Sequence, residues 1–206
     1  MNDVSQPQPA GAIVRAVLEL LESGGYDAVQ LRAVARRAHV SLATIYKLFP
    51  TRDELIVAAM EQWMAASIYS QLAPPPAGES LYDGLMRVFR YVFGPWERSP
   101  RMLGAYHRAR TGPGGQRLEQ QAWNAVEPAA RAVLAGCDPD YARDIELILT
   151  NMAYAVTGRC AAGEIGTSEI LPVLERAVFR LTADNEAAAT AARTRRPGPG
   201  TPVTAG

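Results

Sequence analysis

The chain has 206 residues, 48% of them apolar, with 21 basic side chains against 21 acidic ones. That length holds one or two domains of ordinary size, and the zero balance excludes indiscriminate adhesion to nucleic acid, so any contact with a polyanion has to be local and geometric. No apolar run approaches the roughly 20 residues that cross a bilayer, and MNDVSQPQPAG lacks the basic-then-apolar layout of a secretion signal, which predicts a cytoplasmic protein with no membrane partner.

Residues 1–10 are polar and proline-containing, the composition of a short disordered arm. A first helix is predicted from Ala12, with Ile13, Val17, Leu20 and Leu21 on one face and Arg15, Glu19 and Glu22 on the other. Gly24 and Gly25 stop it, because glycine takes the left-handed conformation cheaply. Leu31, Val34, Ala35 and Ala38 then recur at helical spacing opposite Arg32, Arg36 and Arg37. His39 and Val40 interrupt the pattern, and Ser41 can cap a second short helix carrying Leu42, Ile45, Leu48 and Phe49. Ala35 is small enough for two helices to cross closely, as a helix-turn-helix requires. Tyr26, Val29 and Leu31 should pack the first helix against the pair, giving a three-helix head over residues 11–50.

The charge pattern agrees with this layout. Between residues 31 and 50 the cations are Arg32, Arg36, Arg37 and Lys47, with no acid among them, on a chain that is balanced overall. A locally basic, acid-free surface suits an element that faces phosphate. Periodicity and charge alone leave open a solvated surface hairpin.

Pro50 ends the pair and residues 51–54 read as a capping box for the next helix. Leu55, Ile56, Ala59, Met60, Trp63 and Ile68 continue that helix to about Leu72, where three prolines stop it. Some 20 residues span about 30 Å, so residues 51–73 form a candidate connecting rod. A body follows over 74–186. Leu81, Leu85, Val88 and Val92 make one stripe and Tyr82, Met86, Phe89 and Phe93 a second, the wide apolar arc of a helix surrounded by others. Gly94-Pro95 and Ser99-Pro100 are expected to bracket a break around Trp96, before a short helix with Met102, Leu103, Tyr106 and His107. Residues 111–115, TGPGG, form a loop.

A helix over 116–135, kinked at Pro128, carries Leu118, Trp123, Val126 and Val133 inward. Asp138 can cap the next, where Tyr141, Ile145, Ile148, Leu149, Met152, Val156 and Cys160 recur through to about Ala162. A last helix over 168–186 carries Ile170, Leu171, Leu174, Val178, Phe179 and Leu181. No alternating strand pattern appears, so the fold class is all-α: an N-terminal three-helix head with a helix-turn-helix, and a larger C-terminal helical domain. Residues 187–206 cannot bury enough apolar surface to fold. They form a solvated tail, or an arm whose Arg193, Arg195 and Arg196 touch phosphate.

Catalysis has no residues to rest on. There is no Ser-His-acid set with a nucleophile turn, no phosphate-cradling glycine loop after a strand and no cluster of metal ligands, and Cys137 and Cys160 are the only cysteines. No metal and no cofactor is expected, and the chain is not expected to be an enzyme. A protein-interaction module using a helix-turn-helix without DNA, and without sensing a ligand, is the alternative to a DNA-binding role.

The stretch GGYDAVQLRAVARRAHVSLATIYKLFPTRDEL resembles the DNA-binding domain of the TetR family of bacterial transcriptional regulators. The Gly-Tyr turn, the Arg-x-x-Ala-x-x-Ala helix, the Ser-capped recognition helix and the Tyr-x-x-Phe end stand in that family's order, over about residues 13–60. Beyond residue 60 only the helical layout is similar. The head is also similar to actinobacterial repressors of steroid catabolism. Two positions depart from the family: His39 stands where glycine is usual, and Leu42 where a basic or polar residue is common.

Side-chain chemistry assigns roles within the head. Gln30, Arg32 and Arg36 can meet phosphate from the first helix of the pair, as can Tyr46, Lys47, Thr51 and Arg52 around the second. Ser41, Leu42, Ala43 and Thr44 sit at the leading turn of the recognition helix, where base edges are read in a major groove wide enough for one helix. His39 is expected to be structural, since histidine tolerates a left-handed turn. One head reads few base pairs, so a homodimer on a palindromic double-stranded operator is expected.

The resemblance places that dimer on the last two long helices, at Ile145, Leu149, Met152, Ala153, Val156, Cys160, Leu171, Leu174 and Val178; an ordinary intrachain core explains the same pattern. It also implies a small-molecule effector in the body that moves the connecting rod and releases a repressor from its operator. Tyr82, Met86, Phe89, Phe93, Trp96, Met102, Tyr106 and Trp123 are the apolar candidates for lining the effector cavity, with His107 and Asn151 as polar anchors.

Overall fold

Nine α-helices, three short 3-10 turns and no strand make up the described residues, 9–71, 76 and 78–183 of the computed structural model. Most of the expected N-terminal arm, residues 72–75 of the connecting segment and the tail at 187–206 lie outside them.

Helix α1 (Pro9–Gly24) buries Ile13, Val17 and Leu21 completely and ends where Gly25 turns to φ 73°. Helices α2 (Leu31–Ala38) and α3 (Leu42–Leu48) are the predicted pair. Val29, Val34 and Ile45, each 0% exposed, seal them to α1. Between them His39 sits at φ 55°, ψ 41°, the only described non-glycine residue with positive φ, and the next amide, of Val40, donates to the Ala35 carbonyl at 3.0 Å. A left-handed residue closes the helix by letting the chain double back onto its last carbonyls, and histidine adopts it at modest cost.

Helix α4 (Arg52–Ser67) starts at the expected cap, Thr51, whose Oγ1 accepts the Glu54 amide at 3.1 Å. It ends at Ser67, about five residues before the expected end, and a 3-10 turn (Tyr69–Gln71) follows. Nor does it stand free as a rod. Leu55, Ile56, Met60, Trp63 and Met64 are buried, and α4 packs on α1, α6 and α7.

Helix α5 (Leu81–Arg98) runs through Gly94 and Pro95, where the sequence predicts a break. A proline in the last turn removes one backbone hydrogen bond. Against that loss Trp96, 3% exposed, is packed between Trp63, with ring centroids 4.6 Å apart, and Tyr106 at 5.2 Å. The chain leaves the helix at Ser99 and α6 (Pro100–Arg110) begins at once. Helix α7 (Gln116–Leu134) crosses α5 closely at Gly84, where an added Cβ would lie 2.7 Å from a Val133 methyl. Helix α8 (Pro139–Ala161) is capped by Asp138, whose Oδ1 accepts the amides of Asp140 and Tyr141, both at 3.0 Å. Helix α9 (Ile170–Thr182) packs on α5 and α8.

One apolar cluster runs from Ile13 in α1 through α4, α5 and α6 to Leu174 in α9, so head and body share a core. A second, of Leu85, Met86, Ile145, Leu149 and Val178, joins α5, α8 and α9. Helices α7 and α8 touch each other little, which leaves the body open between them.

Candidate functional site

The outer surface of the head is built by the period of α2 and α3. Burial of Val34, Ala35 and Ile45 turns Arg32, Arg36, Tyr46 and Lys47 outward, and Tyr46 is 54% exposed. Arg32, Arg36 and Lys47 form no ion pair among the described residues, whereas Arg37 is paired with Glu19 of α1 at 2.9 Å. Three exposed cations of the helix pair are therefore unpaired among the described residues.

The leading turn of α3 is more constrained than the sequence suggests. Ser41 Oγ accepts the Thr44 amide at 3.0 Å and shares a hydrogen with Thr44 Oγ1 at 2.8 Å. The two hydroxyls are tied together, so either would meet a base as part of that pair. Ala43 is exposed, but Leu42 is half-buried against the core. That packing accounts for an apolar residue at this position. Gln30 donates from Nε2 to the Asp27 carbonyl at 3.1 Å, and Thr51 caps α4; both remain exposed.

Arg52 departs furthest from its expected role. Its Nε donates to the Val29 carbonyl and its Nη2 to the Tyr26 carbonyl, both at 2.6 Å, and its guanidinium lies 4.6 Å from the centre of the Tyr26 ring. A guanidinium so engaged pins the turn between α1 and α2 and has few donors left for phosphate.

Arg108 of α6 covers the same ring at 4.3 Å and pairs with Asp27 at 2.7 Å, so Tyr26 lies in contact with two guanidinium groups. Its hydroxyl donates to Asp53 at 2.9 Å, and burial together with that bond raises its pKa. Arg108 in turn lowers the pKa of Asp27 by hydrogen bonding. Arg101, also on α6, donates to the Ser23 carbonyl at the end of α1 at 2.8 Å. Helix α6 thus grips the head at two places, a link that the sequence did not signal because each partner is some 80 residues away.

In the body a cavity of about 200 Å³ lies between α5, α6, α7 and α8 and the turn after α4. Five of the expected residues line it: Phe89, Phe93, Trp96, Tyr106 and Trp123. The other five do not. Tyr82 donates to Glu175 at 2.9 Å, Met86 is packed in the second apolar cluster, and Met102 is fully buried in the first. His107 is half-buried outside the lining, and Asn151 is exposed on α8, where it donates to the Leu147 carbonyl at 2.7 Å. Residues that sequence reasoning missed include Tyr69, Glu127, Glu146, Thr150 and Tyr154, which border the cavity from α7, α8 and the turn. Burial pushes the Tyr106 phenol up to about 12, so it is a neutral hydrogen-bonding group at any ordinary pH.

Of the residues expected at a dimer seam, five are buried within the chain and four are partly exposed. Ile145, Leu149, Val156, Leu174 and Val178 are at most 6% exposed, and Met152, Ala153, Cys160 and Leu171 pack against the main cluster. Ile145, Leu149 and Ala153 also line the cavity. Helical period tells which residues share a face, and α8 is apolar on its outer side as well, where Leu147 is 62% and Ile148 45% exposed; on α9 Phe179 is 53% exposed.

Comparison with known proteins agrees with this arrangement. Residues 13–59, which hold the head, match the family model described as bacterial regulatory proteins, tetR family. Residues 78–181 match the model described as tetracyclin repressor-like, C-terminal domain. The HTH-type transcriptional repressor KstR of Mycolicibacterium smegmatis is 48% identical over 109 residues, covering 53% of each chain. Its namesake from Mycobacterium tuberculosis is 46% identical over 53% of this chain and 50% of its own. The chain thus spans about half the length of the curated relatives it matches. Among solved structures, a TetR transcriptional regulator from Rhodococcus sp. RHA1 superposes with a TM-score of 0.61 at 21% identity, over 85% of this chain and 98% of the other. A TetR transcriptional regulator from Agrobacterium tumefaciens gives 0.61 at 18% identity, over 90% and 100%; these two likenesses speak for the fold alone. With one model matched by the head and the other by half the chain, the protein belongs to the tetR family of bacterial regulatory proteins.

Proposed function

We propose that the protein is a dimeric, ligand-responsive DNA-binding repressor, acting in the cytoplasm on a palindromic operator that it leaves when a small apolar effector enters the body. The observation that carries this reading is the free basic face of α2 and α3, with Arg32, Arg36 and Lys47 unpaired and Tyr46 exposed beside them. Such a surface neutralises phosphates, while the Ser41 to Thr44 turn enters the major groove to meet base edges. Arg52 holds the head together and Leu42 packs it; neither contacts DNA in this reading. Large apolar side chains exposed on α8 and α9, at Leu147, Ile148 and Phe179, support a dimer seam there, since apolar area left in water on neighbouring helices favours an interaction surface.

Regulation follows from α6, which lines the cavity with Leu103 and Tyr106 and holds the head with Arg101 and Arg108. A ligand changes operator affinity only if it binds one placement of the heads better than another. An effector that displaces α6 acts on Tyr26 and Asp27 directly. The test is a mobility-shift assay on DNA upstream of the protein's own and adjacent genes. Lys47→Ala should weaken binding to good and poor sites alike and flatten the salt dependence, whereas Thr44→Ala should change sequence preference. Failure of the intact protein to bind any such DNA at low salt and without ligand would favour a protein-interaction role instead.

A further inference from the structure

The lining of the body cavity is mainly apolar, with a few hydroxyls, and its charged side chains are Glu127 and Glu146. Its floor is Val88, Phe93, Trp96 and Leu149; at the gap between α7 and α8 stand Glu127, Glu146, Trp123 and Tyr154, and no Lys, Arg or His is among the described residues that line it. Trp123 is 48% and Tyr154 45% exposed, so both rings border the opening. Glu146 makes no ion pair or side-chain hydrogen bond among the described residues. Glu127 is paired with Arg131 one turn along α7, but that arginine is 79% exposed, and a pair with one partner in water neutralises its carboxylate weakly. Two further cations stand near these groups and are paired elsewhere: Arg110 lies 5.3 Å from the centre of the Tyr154 ring and is paired with Glu119 at 2.6 Å, and Arg143, one turn before Glu146 on α8, is paired with Asp140 at 2.6 Å.

We propose that the effector is a compact apolar cation, a protonated or quaternary amine, whose hydrocarbon body fills the cavity and whose charge rests at the mouth between the two carboxylates and the Trp123 and Tyr154 rings. This rests on the reading of the cavity as the effector site. Two acids and two aromatic faces favour a cation there by Coulomb attraction and by the ring quadrupoles. The same groups repel a carboxylate, phosphate or sulfate, and among the described residues the cations beside them, Arg131, Arg110 and Arg143, stand outside the lining. A volume of about 200 Å³ lies below the 300–1,000 Å³ usual for ligand sites, so a one- or two-ring body is the right scale. The tyrosine hydroxyls of Tyr69 and Tyr106, which make no hydrogen bond among the described residues, can orient such a body without adding charge.

Titration calorimetry of the full-length protein with three probes of one shape tests this: 1-naphthylmethylamine, protonated at neutral pH, the neutral 1-naphthylmethanol, and anionic 1-naphthoate. The amine should bind about tenfold more tightly than the alcohol, a difference of about 1.4 kcal/mol, and the carboxylate most weakly. Glu146→Gln, and Glu127→Gln separately, should bring the amine towards the alcohol and leave the alcohol unchanged; retained alcohol binding shows that each variant is folded. If the alcohol or the carboxylate binds as tightly as the amine, the cavity remains an effector site and the charge assignment is overturned. If none of the three binds, both fall.

Discussion

The head and the body are built from the same secondary structure, yet they use their apolar residues differently. In the head each short helix has one buried stripe and one free face, and every stripe residue meets the single cluster around Ile13, Val34 and Ile45. In the body α5 and α8 are apolar over wide arcs that divide among two core clusters, a cavity wall and an exposed patch. A narrow amphipathic helix tells which face is functional by elimination; a helix apolar on two sides does not. The head should accordingly be sensitive to packing changes, and the body to changes in what it touches.

The largest effect expected is at the centre of the head. Ile45 is fully buried, and Ile45→Ala should cost about 3 kcal/mol, measured by urea unfolding, because the short helices around it cannot collapse onto the space left. Operator binding would disappear with the fold of α3. Next comes a body substitution that leaves the fold intact. Ile148→Glu on the outer face of α8 should convert dimer to monomer in sedimentation equilibrium and lower operator affinity about a hundredfold, since one head then binds alone. Unchanged mass would remove α8 from the seam.

That contrast accounts for what the sequence made legible. The limits of α2 and α3, the Ser41, Thr51 and Asp138 caps and the left-handed His39 follow from local chemistry, and local chemistry is what a sequence displays. The role of Arg52 was hidden because its acceptors, the carbonyls of Tyr26 and Val29, become available only when the turn is folded. The break expected at Gly94 and Pro95 is absent because Trp63 and Tyr106 hold Trp96 in the helix, contacts across tens of residues. In α8 the inward residues Ile145, Leu149 and Val156 and the outward Leu147 and Ile148 are equally apolar, and only the placement of α5, α6 and α9 distinguishes them.

Arg52 gives the third test, since a phosphate contact and a structural pin respond differently. Arg52→Ala should destabilise the protein by about 2 kcal/mol by stranding the Val29 carbonyl and leaving the Tyr26 carbonyl with the Val29 amide alone, and leave the salt dependence of operator binding per folded molecule as it was. Arg108→Ala reaches the same tyrosine from the body. Its ion pair with Asp27 is exposed, so the melting temperature should hardly move, but the change in operator affinity on adding effector should shrink about threefold if α6 carries the signal. A variant with lowered stability and full response would assign the coupling to α4 alone.

The smallest effect expected is a pH dependence in α6. Burial, and then the nearby charge of Arg110, holds the pKa of His107 below its ordinary value of 6.5. The folded state therefore binds fewer protons than the unfolded state between those two values. The contribution of His107 is fully present above the unfolded pKa and is lost as pH falls through it towards the folded one. The wild-type melting temperature should thus decline more steeply from pH 7 to pH 5 than that of His107→Gln, with the two curves closest at the acid end if glutamine packs less well. Cavity ligands should bind with equal affinity to both, because His107 lies outside the lining; a loss of ligand affinity in the variant would place the imidazole in the effector site, where the sequence first suggested it.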